Sequence, residues 1–264
     1  EFVGPAFESG AIAAVVRNDF HFPAGRNGDT RQAAADRPNQ GLLIRVDDPL
    51  SALGHLAGYY RRAILAGSAT VVAVTGSNGK TTTKSMIAHI LQARWPGRAS
   101  IKSYNNAIGV PVTLLSAEQS DAFVICEVGT NAPGEIAALA RLVEPDLAVI
   151  TGVAEVHLEG LGTLEEVAAE KLSLLDRLKP EGCAVINFDC EVIRDAVRRD
   201  HDLQKVKKVT YGQWPQADLR LTGIQVSRGH GSAAGSGPSG RSGIIFQVNN
   251  RFEYRLNIPG RHNV

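Results

Sequence analysis

The chain has 264 residues, enough for one large or two modest domains with real cores. Its 28 basic and 27 acidic residues nearly cancel, which argues against a nucleic-acid surface or a membrane-binding face. No apolar run approaches the length of a membrane span and no signal peptide is visible, so membrane insertion is not expected. The 3 cysteines, Cys126, Cys183 and Cys190, have no CxxC spacing and fit a reducing cytoplasm, two of them as small core residues.

In chain order, Ala6 to Val16 reads as a helix running into a short strand, and the polar stretch Gly25 to Gln40 reads as a loop. Leu42 to Val46 is a strand candidate. Asp48-Pro49 then opens a helix through Leu53, Leu56, Tyr60 and Ile64, apolar at three- and four-residue spacing. These residues, 1–66, form a first unit, joined by a short linker to a second, 71–264. There strands are expected at Val71–Thr75, Phe123–Val128, Leu147–Thr151, Cys183–Asn187 and Lys208–Tyr211. Helices are expected at Thr81–Gln92, Val110–Leu115, Gly134–Leu142, Thr163–Leu178 and Glu191–Arg199. Continuous apolar strands separated by helices predict an α/β fold with a mostly parallel sheet covered on both faces. The tail segments Leu219–Val226, Gly243–Val248 and Phe252–Ile258 alternate like antiparallel strands, with the Gly/Ser-rich Arg228 to Ser242 as a hairpin loop.

The most informative stretch is Thr75-Gly76-Ser77-Asn78-Gly79-Lys80-Thr81-Thr82, a Gly-rich turn between a buried strand and a helix. Strand, turn and helix in that order point backbone N–H groups and a helix N-terminus at one spot, which suits a polyphosphate. Lys80 can neutralise phosphate oxygens and the Thr81 hydroxyl can reach Mg²⁺. The position five before Gly79 is Val74 rather than Gly, so the loop is the shorter Thr-Gly-x-x-Gly-Lys-Thr form. The bland reading is a Gly turn with Lys80 solvated.

Ligands of open α/β sheets gather beyond the carboxyl ends of the strands, and the polar residues fall there. Glu127 ends an apolar strand, a costly place for a lone carboxylate; it reads as an Mg²⁺ ligand or as an ion-pair partner. His157, with Glu155 and Glu159 beside it, reads as a site residue or as an ordinary loop histidine. Lys171 lies within a helical segment, where a lysine is normally just solvated. Asn105 and Asn106 precede Gly109-Val110-Pro111, and their amides suit either a substrate or the turn itself.

Thr75 to Lys84 resembles the ATP loop of the Mur ligases, the ATP-dependent amino-acid ligases of peptidoglycan synthesis. Tyr104 to Leu115, Glu127 to Ile136 and His157 to Gly162 look like the branch that adds D-alanyl-D-alanine to UDP-N-acetylmuramoyl-tripeptide. The likeness covers most of 71–264 and is weaker over 1–66, where Phe2 to Val16 looks like the end of a uridine-nucleotide-binding N-terminal domain. It implies that Thr75, Gly76, Ser77, Asn78, Gly79, Lys80, Thr81 and Thr82 bind ATP. Thr81 and Glu127 would hold a first Mg²⁺ and His157 a second. Lys171 aligns with a lysine that CO₂ carbamylates into a carboxylate-like metal ligand. Asn105, Asn106, Thr130 and Asn131 match segments facing the nucleotide-peptide. Gly260-Arg261-His262-Asn263 looks like the start of an adenine-contacting motif. The sequence departs from the family in lacking a proline before His157, in placing Thr130 where a small Ala is usual, and in a looser Asn187-Phe188-Asp189-Cys190.

The resemblance therefore implies lysine and metal catalysis of amide-bond formation in the bacterial cytoplasm, by a monomer, through an acyl phosphate, with Lys80, His157 and Lys171 as catalytic residues. The alternatives are a sibling ligase adding another amino acid, or a nucleotide-binding fragment with no ligase activity. The chain opens at Glu1 without an initiator Met and stops at Val264, so both ends read as cut and the family's C-terminal domain as absent. On that reading residues 1–264 alone are expected to bind nucleotide weakly and not to ligate.

Overall fold

The computed structural model describes residues 2–21, 41–154, 162–227 and 243–256. The chain divides into two compact units, Glu1–Leu56 and Ala57–Val264. In the first, helix α1 (Val3–Glu8) leads into strand β1 (Ala13–Arg17), which pairs in parallel with β2 (Leu42–Val46) from Ala13↔Leu42 to Arg17↔Val46. The helix running into a short strand expected from Ala6 to Val16 is present, though the helix starts earlier, at Val3, and Gly10 at φ 94° turns the chain between the two elements. Helix α2 (Pro49–Ala63) starts where expected. Asp48 caps it, accepting from Leu50 N at 3.2 Å and Ser51 N at 3.0 Å, with Pro49 at the first helical position.

The second unit is built on strands β3 (Thr70–Thr75), β4 (Gly97–Ala99), β5 (Phe123–Glu127), β6 (Leu147–Ile150), β7 (Cys183–Asn187), β8 (Lys208–Gly212), β9 (Leu219–Ser227), β10 (Gly243–Val248) and β11 (Phe252–Leu256). Among the described residues they form one sheet in the order β11-β10-β9-β8-β7-β6-β3-β5-β4. All pairings from β4 to β9 are parallel. Only β9–β10 and β10–β11 are antiparallel.

Alternate residues of the central strands feed two cores, as the two-residue period of a strand requires. Val72, Val74, Ile125 and Val149 pack with Ala88 of helix α3 (Lys80–Gln92). Val71, Ala73, Val124, Cys126, Ala148 and Ile150 pack on the other side. Their partners there come from α4 (Gly109–Leu115), α5 (Glu135–Val143), a 3₁₀ turn (Ser173–Arg177) and α7 (Glu191–Arg199). Helix α6 (Leu164–Leu172) lies between α5 and that turn in sequence, with Thr163 and Glu166 forming a capping box at its start.

Several expectations shift. The helix expected at Thr163–Leu178 changes to the tighter 3₁₀ form after Leu172. The edge strand β4 and the five-residue α8 (His201–Lys205) are too short to show a period; Gly97 is needed because a Cβ there would come 2.4 Å from the Phe123 ring. The tail is not wholly antiparallel. β9 runs parallel to β8 through Tyr211↔Leu219 and Gly212↔Arg220 alone. It can do so without a crossover helix because it extends past the end of β8. Asp218 fixes its start, its carboxylate accepting from Thr210 N at 2.8 Å and Thr210 Oγ1 at 2.7 Å.

One buried cation stitches the unit together. Arg61, 1% exposed, donates through Nε to Val143 O at 2.9 Å and through Nη2 to Glu144 O at 2.9 Å and Asp146 Oδ2 at 2.8 Å. It thereby serves the unpaired carbonyls at the C-terminus of α5. Arg61→Ala is expected to cost about 3 kcal/mol in denaturant unfolding, since it leaves two carbonyls at the end of α5 without their donor and takes from Asp146 its closest cation. A midpoint unchanged from the parent chain would contradict this account.

Candidate functional site

From β3 the chain passes to β4 and β5 on one side and then to β6 on the other, so the carboxyl end of β3 is the switch point of the sheet. The Gly-rich loop sits there. Gly76 has φ 146°, and a Cβ on it would lie 2.0 Å from Thr151 Oγ1. Gly79, at φ 80°, is the left-handed residue that turns the loop into α3. The residues after β6 brace the loop. Thr151 Oγ1 donates to Asn78 O at 2.6 Å, Ser77 N to Gly152 O at 2.9 Å and Ser77 Oγ to Ala154 O at 3.2 Å. Asn187 Nδ2 in turn holds Thr151 O at 2.9 Å. The Thr75 hydroxyl is fully buried and has no hydrogen-bond partner among the described residues.

Lys80 opens α3 and folds back onto its own loop, donating to Gly76 O at 2.8 Å and Ser77 O at 3.1 Å. Burial lowers its pKa, opposed by the nearby Glu127 charge. Glu127, 1% exposed, closes β5. Its Oε2 accepts from Thr81 Oγ1 at 2.9 Å and pairs with Lys84 Nζ at 3.2 Å; its Oε1 accepts from Asn105 Nδ2 at 3.1 Å. Thr81 gives its proton to Glu127, which leaves hydroxyl lone pairs for a cation. The donors here are hard oxygens of the kind Mg²⁺ prefers. Among the described residues no three His, Cys, Asp or Glu side chains converge to hold a metal. A cation at this spot would therefore share few protein ligands and complete its shell with phosphate and water, which is how Mg²⁺ usually binds a nucleotide.

Next to this cluster a pocket of about 340 Å³ is lined by Lys80, Asn105, Asn106, Thr130, Asn131 and Glu135 and floored by Ala138 and Leu139. Glu135 Oε2 accepts from Asn131 N at 2.7 Å, and from Ala132 N and Thr130 Oγ1 at 3.2 Å each. The backbone bond from Asn131 leads in holding its pKa below the usual carboxylate range. Glu170 reaches across from α6 to the start of α5, taking Gly134 N and Ile136 N at 2.8 Å each. Beside it Lys171 is 2% exposed, and its ammonium makes no hydrogen bond or ion pair with any described residue. Burial first, then the Lys80 charge, lowers its pKa to about 8, while Glu170 and Glu135 pull the other way. A lysine so placed carries an appreciable fraction of reactive neutral amine near neutral pH.

The structure thus brings together Thr75 to Thr81, Glu127, Asn105 and the pocket residues expected from sequence. Thr82 is exposed in the first turn of α3. Asn106 also caps α4, its Oδ1 accepting from Gly109 N at 2.9 Å. Thr130 donates to Ala132 O at 2.6 Å, shaping the turn before α5. Lys171 is buried, which overturns the solvated-lysine reading that helical context alone suggests. His157, its neighbours Glu155 and Glu159, and Asn263 lie outside the described residues. Sequence reasoning missed Lys84, Thr151, Glu135 and Glu170 as site residues. Lys84 falls one helical turn after Lys80, a spacing that puts both on one face and was the available signal. Of the thiols, Cys126 is fully buried and pushed up to about 12, which leaves it unreactive.

A parallel sheet with a Gly-Lys-Thr loop at its switch point defines a P-loop-type α/β protein. Residues 74–264 match the Mur ligase middle domain, and the chain belongs to the Mur ligase family. It is 32% identical over 263 residues to the UDP-N-acetylmuramoyl-tripeptide--D-alanyl-D-alanine ligase of Bacillus subtilis, covering 100% of this chain and 50% of that protein. The Haemophilus influenzae protein of the same name is 40% identical over 198 residues, with 67% and 43% covered. The chain spans about half the length, or less, of the curated relatives it matches. Among solved structures, MurF from Acinetobacter baumannii superposes with a TM-score of 0.72 at 25% identity, over 86% of this chain and 47% of that one. MurF ligase from Thermotoga maritima shares the fold, at a TM-score of 0.75 and 22% identity over 99% and 53%.

Proposed function

We propose that this chain carries the nucleotide site of an ATP-dependent amide ligase that joins D-alanyl-D-alanine to UDP-N-acetylmuramoyl-tripeptide. The observation that carries the proposal is the meeting of Lys80, Thr81 and Glu127 beside the amide-lined pocket. The names of the relatives supply the substrate class. In this reading Lys80 leaves the Gly76 and Ser77 carbonyls to neutralise the β/γ oxygens of ATP, which the loop amides and the start of α3 cradle. A substrate carboxylate oxygen attacks the γ-phosphorus, the bond to the bridging oxygen breaks, and ADP leaves. The amine of D-alanyl-D-alanine then attacks the acyl carbon, expelling phosphate and losing a proton to solvent. Bound Mg²⁺, two ions in the family pattern, would supply charge neutralisation of the phosphates, held by Thr81 and Glu127 and, outside the described residues, by His157. Asn105, Asn106, Thr130 and Asn131 orient the nucleotide-peptide in the pocket.

Lys171 adds CO₂ at its neutral amine, forming an N–C bond with loss of a proton, and so becomes an anionic ligand in place of a cation. Its burial without a hydrogen-bond partner among the described residues and its lowered pKa support this. The unit Glu1–Leu56 belongs, on this reading, to a uridine-nucleotide-binding domain, while residues 57–66, grouped with it from sequence, fall in the second unit, where Ala57 and Leu65 pack in its core; Asn263 contacts adenine. No helix among the described residues is long and apolar enough to cross a membrane. The cytoplasm as the place of action and a monomer as the acting form belong to the proposal through the family resemblance alone.

The test is an incubation with ATP, Mg²⁺, UDP-N-acetylmuramoyl-tripeptide and D-alanyl-D-alanine, read by phosphate release and product mass. It is run on residues 1–264 and on the same residues joined to the remaining length of a relative. Ligation is expected from the joined form and not from residues 1–264 alone. A joined form that ligates a different amino acid instead would overturn the substrate assignment.

A further inference from the structure

Lys84 is the strongest feature that the proposed reaction leaves unexplained. Its ammonium, on a side chain only 3% exposed, lies 3.2 Å from the same Glu127 oxygen that accepts from Thr81. It cannot swing away freely, because it also donates to Ser100 O at 2.9 Å and to Lys102 O. Lys102 presents that carbonyl from a left-handed backbone at φ 48°, an unfavourable conformation for a residue with a Cβ. The chain therefore accepts local strain to keep a cation fixed on this carboxylate. Such a pair is electrically neutral, and a free divalent cation approaching it meets a fixed like charge about one contact away.

We propose that Lys84 is a resident countercharge that denies Glu127 to free Mg²⁺, so that the metal enters only together with the nucleotide. This rests on the nucleotide reading above and adds an order of binding to it. A metal carried by a polyphosphate arrives with surplus negative charge, which Lys80 and the N-terminus of α3 neutralise, and so it tolerates Lys84. A bare dication brings no such compensation. Lys84 is in this sense a positioning residue for Glu127, since it acts on the metal only through that carboxylate.

The test is calorimetric titration of the purified chain with Mg²⁺ alone and with Mg²⁺ plus a non-hydrolysable ATP analogue. The unmutated chain is expected to bind Mg²⁺ with the analogue and to show no saturable binding of Mg²⁺ alone over the same concentrations. Lys84→Met should bind Mg²⁺ alone at least about tenfold more tightly, because one buried like charge has gone. Arg94→Gln, which removes an exposed charge just beyond α3, should behave as the unmutated chain. If Lys84→Met does not fold, Lys84→Gln takes its place, keeping a donor for the two carbonyls while dropping the charge. Equal affinity for Mg²⁺ alone in the unmutated chain and the folded variant, with analogue binding intact, would overturn this inference and leave the nucleotide reading standing. Absence of analogue binding in the unmutated chain would overturn both.

Discussion

Lys80→Ala in the ligating form of the protein is expected to lower ATP turnover about 10²–10³-fold, or about 2.7–4 kcal/mol in the barrier, the range found when one preorganised transition-state donor is removed. The size of the effect follows from position. Lys80 is half-buried at the start of α3, and its partners among the described residues are two loop carbonyls, so it can turn to phosphate oxygens without breaking an ion pair there. The fold should survive, because the side chain bridges nothing beyond its own loop, and a melting temperature close to that of the unmutated protein is part of the expectation. Turnover within a few-fold of the parent, measured by phosphate release, would remove Lys80 from the site.

Lys171→Ala is expected to be nearly inactive, by about a hundredfold or more, yet partly restored by short-chain carboxylic acids that supply the missing carbamate oxygens. The physical ground is a buried amine beside Lys80, lowered to about 8, with no hydrogen bond among the described residues to hold it as an ammonium. The pH dependence has a definite sign. The unfolded lysine keeps its ordinary value of 10.5 and the folded one sits at about 8, so between these the unfolded chain binds more protons. Stability from this group therefore rises as pH climbs from about 8 to 10.5, and below 8 the full penalty of a buried ammonium applies. Uptake of isotope-labelled CO₂ at Lys171, read by carbon NMR, should likewise increase as pH rises toward that value. Full activity of Lys171→Ala without added acid would show that the lysine is only structural.

What the sequence showed of this site was set by how local each signal is. The Gly76 to Thr81 loop is contiguous, its glycines have steric reasons, and the flanking strand and helix carry their own periods, so loop and context could be read together. Glu127 was legible as a carboxylate at the end of an apolar strand, though not its partners, because Lys84, Thr81 and Asn105 reach it from three other segments. Lys171 is the clearest case of a residue that helical context misjudges. The packing of α6 against the start of α5, made by Glu170 across 34 and 36 residues of chain, is what buries it, and no local pattern encodes that contact. The same limit applies to the fold. The buried strands β3, β5 and β6 announced themselves as apolar runs, whereas three-residue β4 and the parallel start of β9 depend on the Phe123 ring and on Asp218. Bracing of the Gly-rich loop by Thr151 and Asn187 is equally a product of tertiary structure.

The central claim is that this site phosphorylates a carboxylate before an amine attacks it. The most direct measurement uses UDP-N-acetylmuramoyl-tripeptide labelled with heavy oxygen in its terminal carboxylate, in the joined form of the ligation assay above. Released phosphate is then analysed by mass. The account predicts one labelled oxygen in each phosphate formed together with amide product, and none when Lys80 is alanine and turnover is lost. Amide product accompanied by unlabelled phosphate would contradict it, because the carboxylate oxygen would then never have been joined to phosphorus.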